Sequence, residues 1–476
     1  NESLDMVAGY LRDAGLERVG NMTVLEGPLT LCPLAWEPVT VSVSLVEPSR
    51  ELLHTYEDLA TLPAKYSGST PEGGVTASLV AVDGGADETD YAGVDVRGKI
   101  VLGSGQIGQM FEHAVEQRGA LGVISDHLGN EQRHTQYPGI VGAGTIPCVE
   151  TETLRQRAGW GLKIPRQSTE RLRGMLTEGE VALEVNVQTR FFESTLRELV
   201  VEIPGTVAPD ERVILVSHSD NAKPGANNNA SGVATHAELV AAIAAAIEAG
   251  TLEPPTRTLT FLFGPEREGT RLWMDSSGAD VDEVIAAIDA DMTGENTDLT
   301  GGTYRLERSP DPAFKFPRPA EYTAPEDITS GWPLRDLGVD GYPGHFINQL
   351  MWVALNERAR RVDWTIAQHP LEGGSDHDVL LPAGVPTALS WHWVDAFTGT
   401  NFDTPDKVSA EEMKNVALSH GMAALLMAYG SVDDARALLT ELEEAATAKM
   451  EFENETTERL LADLERGPIE GVSEAA

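Results

Sequence analysis

Residues 213–232, VILVSHSDNAKPGANNNASG, constrain the fold of this chain more than any other stretch. The run RVILVS over 212–217 is apolar and of strand length, and the polar residues after it place His218 and Asp220 at the strand's C-terminal end. Open α/β sheets gather their ligands at that end. A spacing of two lets the Asp220 side chain sit behind His218 as an acceptor, fixing the ring tautomer and leaving the other nitrogen for a metal. The glycine- and asparagine-rich residues 225–232 then feed an alanine-rich run, 233–246, of high helix propensity. Strand, ligand-bearing loop and helix follow one another within about thirty-five residues, well within the span of one strand–helix unit of an α/β sheet.

Four further segments extend the pattern. A buried-strand run, TLTFLF over 258–263, precedes GPEREG over 264–269, and AAIDADM over 286–292 reads as another strand. GSDH over 374–377 is followed by Gly384-Val385-Pro386, and NFDTPDKV occupies 401–408. With these residues the chain resembles the zinc aminopeptidase family of the bacterial leucyl aminopeptidases, the glutamate carboxypeptidases and, more distantly, the glutaminyl cyclases. The family pattern runs His-x-Asp, Gly-Ala-x-Asp-Asn-x-Ser-Gly, Ala-Glu-Glu-x-Gly, Asp-Met, Ser-Asp-His, Gly-Ile-Pro and Tyr-His-Thr-x-x-Asp-Thr. The resemblance implies that His218 and Asp291 are ligands of a first zinc, that Asp220 supports His218, and that Glu266 is the general base. It also implies departures. Asn228 replaces the aspartate that bridges two zinc ions, Arg267 replaces a glutamate ligand of the second zinc, and Gly399 is read at the place of the second zinc's histidine.

Those departures fall on one half of the site. A cation and a glycine cannot hold a divalent ion, whereas His218 and Asp291, with the neutral oxygen of Asn228, can still take one. The expectation is a single divalent metal, zinc before others, with Glu266 shuttling protons and Arg267 offering a planar cation to a carboxylate or developing oxyanion. The alternative for Arg267 is that it points away and pairs with an acid. Asp376, His377 and His392 are expected in the substrate pocket. Glu268, His377 and His392 are also candidates to join the metal, and His392, between Trp391 and Trp393, reads alternatively as a packed wall residue. The favoured function is a metal-dependent hydrolase of amide or peptide bonds with an atypical, anionic small-molecule or peptide substrate. A two-metal aminopeptidase with relocated ligands and a metal-free binding protein are the alternatives.

Composition narrows partners. Seventy-five acidic residues against 35 basic give a formal net charge of −40, which disfavours nucleic acid and anionic membranes as partners. No run of eighteen apolar residues occurs. Cys32 and Cys148 are too few for a disulfide framework. No secretory leader pattern is visible, so the chain as given reads as cytoplasmic, with secretion the alternative if a leader was removed.

The expected fold class is α/β, a mixed twisted sheet sandwiched by helices with an inserted β-rich module. The peptidase-like domain is expected over 1–66 and 183–430. Between them, residues 95–102, 111–124 and 146–147 resemble a protease-associated domain, giving an insertion over 67–182 whose His113, His127 and His134 take surface or lid positions. Residues 297–343 read as a long loop, 344–359 as a helix with His345 at its surface-exposed start, and 409–429 as a helix on the sheet. The tail, 431–476, reads as a helical hairpin or a contact for a homo-oligomer.

Overall fold

The structure is a computed structural model that describes residues 2–129, 132–276, 280–311 and 344–467. It contains two sheets, one of eight strands and one of seven. The larger sheet runs in the order Asn21–Pro28, Thr195–Ile203, Arg257–Gly264, Ala208–His218, Val284–Asp291, Thr387–Trp393, Thr303–Glu307, Ile366–His369. Its central four strands, Arg257–Gly264 to Thr387–Trp393, pair in parallel; the first two strands and Thr303–Glu307 join antiparallel. This is the mixed α/β sheet the sequence implies.

Alternation along the central strands explains the layers. Val213, Leu215, Leu259, Phe261, Phe263, Ala286 and Ile288 face one core with the helices Glu2–Asp13, Gly232–Glu248, Phe346–Val362 and Ala410–Tyr429. Ile214, Val216, Leu262, Val284 and Ala287 face the other, against Trp273, Leu380 and Val385. The apolar helix Gly232–Glu248 owes its composition to this burial, ten of its seventeen residues being inside.

The second sheet corrects the expected boundaries. Ala35–Glu47 pairs antiparallel with Ala182–Phe192 along nearly its whole length, and Glu51–Thr55 pairs with Ala35–Glu47. Val41, Val43 and Leu45 interleave with Leu183, Val185 and Val187 in one buried cluster. Strands inside 1–66 and beyond 182 therefore belong to the inserted module, because their apolar faces close its core rather than the large sheet's. Two cysteines suffice for one cross-link: Cys32 and Cys148 form a disulfide with Cα atoms 5.9 Å apart, tying the module's entry to the segment before the helix Thr151–Arg155. Such bonds persist chiefly in oxidising compartments.

Two other expectations change. The stretch 297–343 is not all loop: Thr297–Thr300 is a short helix and Thr303–Glu307 is a sheet strand, while 312–343 lie outside the described residues. The tail is one helix, Val432–Leu464, started by a Ser431/Asp434 capping box, rather than a hairpin.

Candidate metal centre and proton-transfer site

Three parallel strands end side by side at His218, Gly264 and Asp291, so the site sits at their carboxyl ends as anticipated. His218 is 3 % exposed. Its Nδ1 donates to the backbone carbonyl of Asp220 at 3.0 Å, while the Asp220 carboxylate stands 3.7 Å away. The tautomer is thus fixed by the main chain of Asp220 rather than its side chain, because that carboxylate is spent on the backbone N–H of Glu266 at 2.7 Å.

With its proton on Nδ1, the neutral imidazole carries a lone pair on Nε2. That nitrogen faces Asp291 Oδ1 at 3.3 Å, and neither atom has a hydrogen-bond partner. Two lone pairs at this distance repel unless a cation lies between them. Ligand bonds of roughly 2.0–2.2 Å at tetrahedral angles put zinc ligands about 3.3–3.5 Å apart, so the spacing suits a metal. Without one, burial opposes a charge on the ring but Asp291 and Asp220 override it and hold the His218 pKa well above the usual value; a proton then fills the gap.

Three consecutive asparagines share the work of the loop. Asn227 and Asn229 are each 1 % exposed. Asn229 accepts from Met292 N and donates to Ala290 O; Asn227 accepts from Gly294 N and donates to Asp395 Oδ2. They stitch the loop to the strand that carries Asp291. Asn228, between them, donates its Nδ2 to Thr398 Oγ1 at 3.2 Å and leaves Oδ1 without a partner.

The Glu266–Arg267 turn is held from below. Gly264 and Gly269 flank it because the Glu198 carboxyl fills the space between: a Cβ would stand 1.5 Å from Glu198 Oε2 at Gly264 and 1.9 Å at Gly269. Full burial, reinforced by the charges of Asp376 and Asp220, raises the Glu198 pKa well above the ordinary range. Arg267 has a positive φ, 61° with ψ −37°, uncommon for a side-chain-bearing residue and a mark of functional turns. Asp376 Oδ1 holds its N–H at 2.6 Å and the Thr270 hydroxyl at 2.7 Å.

The Arg267 guanidinium neither leaves the site nor seeks a remote acid. Its Nη2 lies 2.8 Å from Glu266 Oε1, its Nε 3.8 Å from Asp378 Oδ2, and 39 % of the side chain remains exposed. Glu266 itself is half-buried, and burial raises its pKa against the opposing charges of His218 and Arg267.

Three pocket expectations fail. His392 is fully buried, donates Nδ1 to Met292 O at 2.8 Å and turns Nε2 toward Glu412 at 3.3 Å. Strand alternation sends Trp391 and Trp393, stacked at 5.2 Å, to the opposite face. His377 is also enclosed, bridging Asp289 Oδ2 and Glu307 Oε1 at 3.0 Å each. Burial opposes its charge, but Glu307 and Asp289 raise its pKa to about 10. Asp376, 1 % exposed, is a support beneath the Arg267 turn rather than a substrate contact.

The sequence reading missed Asp403. Its position after Phe402 and before Thr404-Pro405 is the register of the histidine in Tyr-His-Thr, which is the available signal. Gly399 instead offers its carbonyl to Ala143 N in the insertion. Asp403 Oδ1 accepts from Asn227 N at 2.7 Å and Oδ2 from Asn228 N at 3.2 Å, so its carboxylate braces the loop. Burial lifts its pKa to about 6.

Elsewhere, Glu307, His369 and Glu372 bring three ligand-type atoms within 4.8 Å of one another. His369 Nε2 accepts from Trp391 Nε1 at 2.9 Å, which leaves its proton on Nδ1, 3.4 Å from Glu372 Oε2. That proton occupies the nitrogen a metal would need.

Residues 198–309 match the profile of Peptidase family M28. Among solved structures, the chain is similar to BSAP, a zinc aminopeptidase from Bacillus subtilis, at 16% identity and TM-score 0.59, covering 90% of this chain and 89% of that one. It is similar to a Peptidase M28 precursor from Shewanella amazonensis SB2B at 18% identity and TM-score 0.58, covering 90% and 88%. An aminopeptidase from Aneurinibacillus sp. strain AM-1 matches at 21% identity and TM-score 0.54, also covering 90% and 88%. No curated protein matches the chain. At these identities the likeness is one of fold: the chain has the scaffold of a metal-dependent peptidase.

Proposed function

We propose that this chain is a metal-dependent hydrolase of amide or peptide bonds that works with one divalent ion, zinc before others. His218 and Asp291 would hold it, with Asn228 offering a neutral oxygen. The observation that carries this reading is the facing pair His218 Nε2 and Asp291 Oδ1, 3.3 Å apart, buried and without hydrogen-bond partners. Each unsatisfied buried polar atom costs about 1–3 kcal/mol, and one cation relieves both. Among the described residues a second ion finds no comparable set there: Arg267 brings a cation, and the Asp403 oxygens already accept backbone N–H groups.

A divalent ion held by His218 and Asp291 would supply Lewis acidity to a scissile carbonyl or an attacking water. Glu266 takes the water's proton and returns it to the leaving nitrogen. Arg267 keeps the Glu266 carboxylate oriented at 2.8 Å and turns its exposed edge to the cleft, where a planar guanidinium suits a substrate carboxylate or an oxyanion. A cation there repels the ammonium of an ordinary aminopeptidase substrate, so the substrate is anionic.

Metal content per chain, measured on protein purified without chelator or metal resin, tests the reading. About one equivalent, lost in His218→Ala, is expected. Two equivalents would mean relocated ligands, and none would leave a metal-free binding cleft.

A further inference from the structure

The loop 395–403 stands between the inserted module and the asparagine loop, and it is bonded on both sides. Toward the module, Asn401 Oδ1 accepts from Val141 N at 2.7 Å, its Nδ2 donates to Gly139 O at 3.2 Å, and its backbone N donates to Val141 O at 3.0 Å. Ala143 N donates to Gly399 O at 2.8 Å, and Arg133 Nη2 donates to Asp395 O at 2.8 Å. Leu128 and Ile140 of the module share a buried cluster with Phe397, which packs edge-on to Tyr137 at 4.8 Å between ring centroids.

Toward the site, the same loop fixes Asn228. Asp403 holds the backbone N–H groups of Asn227 and Asn228, and Asp395 Oδ2 holds the Asn227 side chain at 2.9 Å. Thr398 donates its hydroxyl to Met292 Sδ at 3.8 Å, which turns an oxygen lone pair to Asn228 Nδ2 at 3.2 Å. That contact decides which end of the Asn228 amide is the Nδ2 donor and leaves Oδ1 buried without a partner. An oxygen ligand and an NH2 group are isosteric, so the choice rests on hydrogen bonding alone.

We infer that the inserted module acts as a brace for the metal centre, with Asn401 as a positioning residue that sets Asn228 through the loop 395–403. The inference rests on the one-metal reading above. The module is then part of the machinery that shapes metal affinity, and a partner or ligand that shifted it would change that affinity in turn. By linkage, metal binding also tightens the module's grip on the loop.

The test is zinc affinity, by competition with a chelator, of wild type, Asn401→Ala and Arg133→Ala, alongside the unfolding midpoints of the metal-free proteins. Loss of outer partners of metal ligands costs 10–100-fold in affinity. For Asn401→Ala, one bond further out, we expect about the lower end of that range, roughly 10-fold, with a smaller loss for Arg133→Ala. Asn401→Asp keeps the acceptor for Val141 N and recovers part of the loss. Zinc should also slow amide hydrogen exchange at Val141 and Ala143 in wild type. If Asn401→Ala lowers only the unfolding midpoint while both variants bind zinc within twofold of wild type, the brace is overturned and the metal reading stands. If wild type binds no zinc that His218→Ala removes, the metal reading itself falls and takes the brace with it.

Discussion

Two buried histidines, His218 and His377, lie in one fold among carboxylates, and they are satisfied in opposite ways. His377 gives both ring nitrogens to carboxylates on the strands either side of Thr387–Trp393, while Glu307 Oε1 also collects the N–H groups of Glu372 and Gly373. Backbone N–H groups of Glu372, Gly373 and His377 join that cluster, which holds the loop that carries Asp376 and Asp378. His218 gives one nitrogen to a backbone carbonyl and leaves the other facing a carboxylate. The first arrangement occupies both ring nitrogens, although Asp289 Oδ1 and Glu307 Oε2 keep no hydrogen-bond partner; the second leaves one ring nitrogen for a cation from solution. Burial and charge alone do not separate a structural histidine from a ligating one. What faces each ring nitrogen does.

The largest expected effect lies at the open cluster. Glu266→Gln keeps the shape and removes the proton acceptor, and general acid–base groups are worth about 10²–10⁴ in rate. Turnover of any substrate should fall by that order while metal content stays as in wild type. A fall in metal content would instead make Glu266 a ligand.

The closed cluster should respond in stability. Removing one partner from a buried ion pair costs about 3–5 kcal/mol, so His377→Gln should lower unfolding free energy by roughly that amount and leave the bound metal in place. His218→Ala should lose the metal, and in the metal-free protein it also removes the buried His218–Asp291 pair, so metal content rather than stability separates the two variants. Equal behaviour of the two variants would erase the distinction.

How much of this was legible in the sequence follows from the same contrast. The strand–loop–helix at 213–232 and the order of the later motifs gave the scaffold, because hydrophobic alternation and ligand spacing are local. His218 faces Asp291, Arg267 pairs with Glu266, and the charges of these residues act on one another, whereas Asn228 contacts Thr398, Asp403 and Asn221. Strand-face assignments misled at His392: flanked by tryptophans in sequence, it is separated from them by the pleat. His377 and Asp376 carry a motif that looks like a binding site, but the carboxylates that consume it, Asp289 and Glu307, sit 88 and 70 residues away. Glu198 was invisible for a related reason. Its partners are two glycines, recognisable only once their missing Cβ atoms are seen as room for a carboxyl. The module's edges were misplaced because Ala35–Glu47 pairs with Ala182–Phe192 across some 140 residues, a contact no local pattern announces.

Arg267 tests whether the open cluster has one place for a cation or two. Arg267→Glu removes the guanidinium beside Glu266 and sets a carboxylate in the register of the missing ligand. We expect KM for anionic substrates to rise about 10-fold or more, the worth of one lost charge-assisted contact of roughly 1.5–3 kcal/mol. Unchanged kinetics would remove Arg267 from substrate recognition. A gain of a second metal equivalent would show that this one substitution had closed the other half of the site.

The smallest effect concerns a third way of burying histidine, with no carboxylate at all. Ser217 Oγ lies 2.8 Å from His236 Nδ1, His236 Nε2 lies 3.0 Å from His420 Nδ1, and His420 Nε2 lies 3.3 Å from the Tyr304 hydroxyl. Burial depresses His420 from 6.5 to about 3, and burial with the neighbouring His420 depresses His236 well below 6.5. Both rings stay neutral in the folded chain, while the unfolded chain takes up protons below about pH 6.5. Stability contributed by this pair is therefore intact above that pH and is lost as pH falls toward about 3, at up to about 1.4 kcal/mol per pH unit for each ring. Carboxylates titrate in the lower part of the same window, so the informative quantity is a difference between proteins. His420→Gln, which cannot be protonated, should flatten the fall in unfolding free energy between pH 6.5 and 5 relative to wild type. Parallel curves would mean that the folded chain accepts a proton on this pair, and that a histidine without a carboxylate is no better shielded here than His377 is with two.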